Sequence, residues 1–251
     1  MPRDWDARTY DRVADPMTRW GTAILDRLPL HGGERVLDAG CGSGRVTEQL
    51  LERMGEDGGT VVALDGSPAM VEAARERLAR FGDRVEYVVA DLGAPLPIDP
   101  VDAILSTATF HWVPDHDALF RNLAAVLRPG GWLVAQCGGV GNIASIQRVL
   151  ATIGDGWTGD VYFATPLDTV RRLEAAGFVD PEVWLTDEPT RFEPGEAFEA
   201  YLRTVVLGSH LARLPASEHA AFVRAVTNGL ADPVIDYVRL NIVARRSARQ
   251  T

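Results

Sequence analysis

The stretch that decides the fold runs from Val36 to Leu50, "VLDAGCGSGRVTEQL". Apolar residues lead into an acid, Asp38, and glycines follow at Gly40, Gly42 and Gly44. An amphipathic run then puts Val46, Leu50, Leu51 and Met54 on one helical face. The pattern is a buried strand, a loop of bare backbone and a helix. Glycines let a ligand approach the main chain, and a helix N-terminus favours negative charge. A dinucleotide site uses the same place with the spacing G-x-G-x-x-G. Here Arg45 stands where the third glycine of that fingerprint would be.

Outward from this stretch, strand-like and helix-like segments alternate from Glu34 to about Thr186. "TVVALD", "RVEYVVAD", "VDAILST", "WLVAQCGG" and "PEVWLT" read as further strands. Ser67 with Pro68, Asp115, and Thr165 with Pro166 mark helix starts, while Pro129-Gly130 and Gly177 mark helix ends. Such alternation predicts an α/β fold whose doubly wound, mostly parallel sheet binds ligands beyond the carboxyl ends of its strands. The last segment, "YVRLNIVAR", alternates polar and apolar side chains and completes seven strands as an antiparallel or partly exposed one. Two segments stand outside the alternation: a helical lead-in over residues 1–30 and a mostly helical insertion over residues 187–232. The insertion reads as a lid shaping a substrate pocket, all within a single domain over 1–251.

Acids recur at the strand ends. Asp38 is placed to accept hydrogen bonds from an ammonium group. Asp65 ends the second strand and is placed to accept both hydroxyls of a ribose. Asp91, followed by Leu92, offers a carboxylate and a backbone N–H to the amino and ring-nitrogen edge of an adenine. An amino acid, a ribose and an adenine with no pyrophosphate between them describe S-adenosylmethionine.

In "VLDAGCGSGRVT", "VVALDGSPAM", "VEYVVADLGAPLP" and "VDAILSTATFHWVPDHDALFRNLAAVLRPGGWLV" the sequence resembles the class I S-adenosylmethionine-dependent methyltransferases. The likeness runs from roughly Asp4 to Trp184 and takes in the terminal strand. It is most similar to the small-molecule branch that includes trans-aconitate methyltransferases, through "FHWVPD" and "WDARTYDRVAD". The resemblance implies a Rossmann-like sheet with an antiparallel final strand. It implies that Asp38 and the loop of Gly40, Cys41, Gly42 and Gly44 hold the methionine moiety. Asp65 would hold the ribose, Gly66 and Met70 would lie beside the adenine, and Asp91 with Leu92 would hold its edge. Ser106 would border the methionine group, and Tyr10 would close over the cofactor from the lead-in.

Methyl transfer from a sulfonium mainly requires alignment of nucleophile, carbon and sulfur. A base is needed only when the nucleophile must lose a proton. The candidate is His111, just past the fourth strand, with a loop-bonded histidine as the plainer reading. His116 reads as a surface residue and His210 as a possible pocket wall. Cys41 and Cys137 read as small packing residues. Phe110, Trp112, Trp157, Tyr162, Phe163, Phe198 and Tyr201 are candidates for pocket lining or for ordinary core. Arg191, Arg203 and Arg213 are the insertion's candidates for gripping a carboxylate. After the fourth strand, "STATF" lacks the proline pair of adenine and cytosine amino-methylating enzymes and the acids that hold Mg²⁺, so no metal is expected.

Composition bounds the rest. A net charge of −10 argues against a nucleic-acid partner, and no apolar run approaches a membrane span. Two cysteines and a polar beginning without an apolar signal segment predict a reduced, cytoplasmic setting. The expectation is a methyltransferase acting on a small organic molecule, as monomer or homodimer. A peptide or protein acceptor, or a non-catalytic cofactor-binding protein, are the alternatives.

Overall fold

The computed structural model describes residues 15–55, 58–153 and 155–248. Tyr10 and the start of the lead-in lie outside the described residues. Within them the chain opens on helix α1 (Asp15–Leu25) and enters strand β1 (Arg35–Ala39). Helix α2 (Arg45–Met54), β2 (Thr60–Asp65), α3 (Pro68–Leu78) and β3 (Val85–Val89) follow. Then come β4 (Val101–Thr107), α4 (His116–Val126) and β5 (Leu127–Gly138). After α5 (Ala144–Leu150) and α6 (Pro166–Ala175) the chain makes β6 (Phe178–Asp187).

Seven strands form one sheet in the order β3-β2-β1-β4-β5-β9-β6, where β9 is Val238–Arg246. The pairs from β3 to β5 are parallel, and β9 lies antiparallel between β5 and β6. The chain steps outward from β1 to β3, then returns to lay β4 on the other side of β1. That reversal leaves a crevice beyond the carboxyl ends of β1 and β4.

The apolar strands are buried on both faces. On β1, Val36 and Leu37 point to opposite sides and neither is exposed. One face packs Ile24 and Leu25 of α1, Leu50 and Leu51 of α2, and Ala74 and Leu78 of α3. The other packs Leu119, Phe120 and Leu123 of α4 and Leu173 of α6. Burial of a leucine such as Leu50 contributes about 1.5–3 kcal/mol. Local capping fixes the helix starts. The Ser67 hydroxyl accepts from Met70 N (3.3 Å), Asp115 Oδ1 from Ala118 N (2.9 Å), and the Thr165 hydroxyl from Asp168 N (3.1 Å). Gly177, at φ +86°, ends α6 in the left-handed conformation.

One expectation is corrected. Pro129-Gly130 does not end α4, because the chain turns extended at Leu127 and the pair lies inside β5. Of the two alternatives for the last strand, β9 takes the antiparallel one, as an inner strand whose Arg239 and Asn241 are 3% and 4% exposed. The insertion is built of several short helical pieces. Its ends are joined by a ribbon of β7 (Thr190–Arg191) and β8 (Val234–Ile235). Between them lie α7 (Glu196–Tyr201), a π-helical turn (Leu202–Val206), α8 (Gly208–Leu211) and α9 (His219–Gly229). These pack a third core, in which Phe198, Tyr201, Leu211 and Val223 meet Trp20 of α1 and Ile146 and Leu150 of α5.

Candidate active site

The turn after β1 is pinned to β2, since the N–H groups of Gly40 and Cys41 both donate to Leu64 O (2.7 and 2.9 Å). Gly40 sits at φ +87°, and a Cβ there would come within 2.2 Å of Thr109, so only glycine fits. Gly42, at φ +53°, is different: a Cβ on it would meet nothing within 4 Å. Its backbone therefore faces open space that a ligand can fill. Asp65 ties this loop to the next. Its Oδ2 accepts from Gly42 N and its Oδ1 from Ser67 N, each at 2.9 Å. A carboxylate oxygen has a second lone pair, so both oxygens retain capacity for hydroxyl donors. Burial pushes the Asp65 carboxyl up, against the pull of these backbone donors.

The crevice holds a cavity of about 410 Å³, within the ~300–1,000 Å³ typical of small-molecule sites. Of the sequence-predicted residues it gathers Gly40, Gly42, Asp65, Gly66, Met70, Asp91 and Leu92. Asp91 is exposed at the rim, with its Oδ1 accepting from Gly93 N (2.8 Å). Four others stand behind the wall. Asp38 is 1% exposed and accepts the Thr47 hydroxyl on Oδ2 (2.6 Å), while its Oδ1 is buried with no hydrogen-bond partner among the described residues. Burial, opposed by Thr47 and helped by the charge of Asp65, pushes its carboxyl up to about 7. Cys41 is buried, and desolvation pushes its thiol well up. Gly44 gives α2 room against Ala74 and Leu78 of α3. The Ser106 hydroxyl donates to Ala39 O (2.6 Å), tying β4 to β1.

The sequence reading did not single out Thr107, Ala108 and Thr109 at the end of β4 as lining, nor Asp160 and Ser209 from the far wall. The first three were findable from the strand-end rule applied to β4. The last two arrive from a loop and from the insertion, and no local signal marks them.

A second cavity, about 70 Å³, adjoins the first and shares Ala108, Trp112, Asp160 and Ser209 with it. Ala108 and Ile143, both on its wall, carry left-handed backbone at φ +55° and +51°, a conformation costly for residues with a side chain. His111, Phe163, His210 and Arg239 also line it. His111 Nδ1 accepts from Gly138 N (3.3 Å). Burial, with the nearby Arg239 charge, holds its pKa well down, so the ring is neutral. The ring proton therefore lies on Nε2. His116 is not a surface residue: it is 2% exposed, with Nε2 donating to Phe110 O (2.9 Å). Of the candidate aromatics, Trp112 and Phe163 reach the cavity, whereas Phe110, Phe198 and Tyr201 are core. Arg191, Arg203 and Arg213 do not line it. Arg213 pairs with Asp155 (2.9 Å) and lies over Trp157. The guanidinium at this wall is instead Arg239, from β9.

The arrangement suits an adenosyl amino acid. Open backbone lies at Gly42, carboxylates stand at two successive strand ends, and a buried acid with an unpartnered oxygen lies behind the loop. Comparison with known proteins agrees. A family described as a methyltransferase domain matches residues 37–135. A trans-aconitate 2-methyltransferase of Rhizobium leguminosarum bv. trifolii is 41% identical over 132 residues, covering 53% of this chain and 49% of that protein. Another, from Methylobacterium radiotolerans, is 31% identical over 269 residues, covering 98% of this chain and 99% of its own. A phosphoethanolamine N-methyltransferase 2 from Haemonchus contortus was solved with phosphomonomethylethanolamine and S-adenosylhomocysteine. It has the same fold, with a TM-score of 0.65 and 23% identity over 97% of this chain and 57% of that one. The chain belongs to the class I S-adenosylmethionine-dependent methyltransferases, and S-adenosylmethionine is its cofactor.

Proposed function

We propose that the protein methylates a carboxylate of a small organic acid, with the cofactor in the larger cavity and the acceptor in the smaller. Bound there, S-adenosylmethionine supplies an electrophilic methyl group on a sulfonium. The backbone of Gly40 and Gly42 cradles the methionine end, and Asp38 adds negative charge from behind the loop. Asp65 takes the ribose hydroxyls. Asp91 and the Leu92 N–H hold the adenine edge, flanked by Gly66 and Met70. Cys41, Gly44 and Ser106 set the loop's shape from the rear.

The observation that carries the acceptor class is Arg239, a guanidinium 3% exposed at the wall of the second cavity. A buried arginine is suited to an anion and to bidentate grip of a carboxylate. The relatives named above are, by their name, methyltransferases of an acid, which supports the same class. An ionised carboxylate attacks without a general base. Residues 187–232 act as the lid: Val205, Val206, Ser209 and His210 come from them to the smaller cavity. That closure favours a small molecule over a polypeptide. Buried, unpaired Cys41 and Cys137 fit a reducing cytoplasm.

The test is incubation of a small-molecule extract and of the protein fraction with enzyme and methyl-labelled cofactor. Label should appear in the small-molecule fraction and be released by mild alkali, as methyl esters are. Label confined to polypeptide, or stable to alkali on an amine, overturns the reading.

A further inference from the structure

The glycine-rich stretch "CGGVGNIA", Cys137 to Ala144, leads from the end of β5 into α5 along the smaller cavity. Its turn is held firmly. Gly139 N donates to Val238 O (3.0 Å), Asn142 N to Gly139 O (3.0 Å) and Ile143 N to Asp236 O (2.9 Å). Ile143 keeps left-handed backbone at φ +51° directly after Asn142. A branched side chain is costly there, and such costs persist where the surroundings impose them, commonly at binding sites. Asn142 is 4% exposed and lines the cavity. Its Oδ1 accepts from Val238 N (2.9 Å). A backbone N–H only donates, so the amide has its oxygen on β9 and turns its two N–H groups away from that strand. His111 is fixed by the same device. Its Nδ1 accepts from Gly138 N (3.3 Å), which leaves the proton on Nε2. The ring packs on Trp112 and Phe163, with centroids 5.0 and 5.9 Å apart. The two side chains meet at Gly138: a Cβ there would stand 2.8 Å from Asn142 Nδ2, and its N–H is the one His111 accepts. Neither Asn142 Nδ2 nor His111 Nε2 has a hydrogen-bond partner among the described residues, and both stay open to the cavity that their residues line. Arg239 of the same wall is engaged, with Nε donating to Gln136 Oε1 (3.4 Å) and the guanidinium 4.7 Å from the Trp20 ring centroid.

We infer that Asn142 Nδ2–H and His111 Nε2–H are a preorganised pair of neutral donors that receives the carboxylate to be methylated, and that His111 acts as a donor and not as a base. The inference rests on the carboxylate reading above and adds the contacts that hold the acid. An N–H buried without a partner is costly, and an oxygen of the acid removes that cost. Both donors are oriented before the acid arrives, so little ordering remains for binding to impose. An ammonium group in the same place would set donors against donors. A carboxylate has about four lone-pair sites, so two donors leave one oxygen free to attack the methyl carbon. The C–O bond forms as the C–S bond breaks, the electron pair stays on sulfur, and no proton moves.

The test follows the isotope-labelled full chain, saturated with S-adenosylhomocysteine, by nuclear magnetic resonance and calorimetry during titration with acetate, crotonate and trans-aconitate. Before any acid is added, the His111 ring should keep a bare Nδ1 and a protonated Nε2 from about pH 5 to 8. A ring that takes up a proton within that window overturns the donor role. An acid that binds should shift the His111 Nε2–H and Asn142 Nδ2–H signals together. Binding that moves neither overturns the pair and leaves the carboxylate reading standing. No binding by any of the three acids defeats that reading itself. N142D still accepts from Val238 N but puts an anionic oxygen where the donor was. It should weaken acid binding by at least about tenfold without moving S-adenosylhomocysteine affinity, and N142A serves if it fails to fold. H111F should weaken acid binding by about tenfold, and H111Q, whose amide can accept from Gly138 N and donate into the cavity, should recover most of that loss. Undiminished acid binding in the Asn142 variants, or an H111Q as impaired as H111F, contradicts the pair.

Discussion

At the scale of single residues, the site combines costs and uses that can be measured apart. Asp38 is the clearest case. Its folded pKa of about 7 lies above its ordinary 3.8 because the carboxyl is buried. Its contribution to stability is therefore intact below about pH 4 and lost as the pH rises through 7. At full ionisation the shift corresponds to roughly 4 kcal/mol. Asp38→Asn keeps an acceptor for Thr47 and removes the charge. The variant should melt higher than the parent at about pH 8 and alongside it at about pH 4, while binding S-adenosylmethionine more weakly. A variant that melts lower at the alkaline end would show that Asp38 is ionised and paired in the free protein. Gly42 tests the cradle. Alanine there occupies open space at φ +53°, so Gly42→Ala should cost about 1 kcal/mol of stability and a larger share of cofactor affinity. Full affinity by calorimetry would mean the ligand does not lie on that backbone. Asp65→Ala should weaken S-adenosylhomocysteine binding by about 1–3 kcal/mol through lost charged hydrogen bonds. Unchanged affinity would reject the ribose assignment.

At the scale of elements, what was legible in the sequence was what local chemistry decides. Ser67, Asp115 and Thr165 accept the backbone donors their positions foretold, and β4 spans the seven residues read from "VDAILST". Replacing such a cap carries a local cost: Asp115→Ala should lower stability by about 1 kcal/mol in denaturant titration. No change would mean that Ala118 N finds water instead. The elements hardest to place from the sequence are those whose environment is set by distant neighbours. Alternating polar residues on β9 follow the same pattern whether they face water or a buried seam, and only the strand order separates the two. Arg239 and Gln136, distant in sequence, meet because β9 lies antiparallel beside β5, where Gly138 pairs with Arg239 and Gln136 with Asn241. His116 sits at a helix start, usually an exposed place, but here Phe120 and Tyr162 cover it. Pro129-Gly130 carries the mark of a helix stop and instead bends the start of a strand.

At the scale of the whole molecule, the sheet's reversal between β1 and β4 opens the cofactor cavity, and the insertion with α5 walls the space beside it. Trp20 of α1 joins that third core, so the described part of the lead-in and the insertion pack together. Among the described residues no helix is long and apolar enough to cross a membrane. The strand-end geometry was readable in outline because each β-end acid lies beside its own turn signal. The second cavity was not, because its walls come from six separate stretches of chain. The measurement that tests the central claim most directly is a crystal structure of the complex with S-adenosylhomocysteine. The ribose hydroxyls should lie about 2.5–3.0 Å from the Asp65 oxygens, with the amino-acid end over Gly40 and Gly42. A ligand bound elsewhere, or with its ribose beyond hydrogen-bond reach of Asp65, would contradict the account.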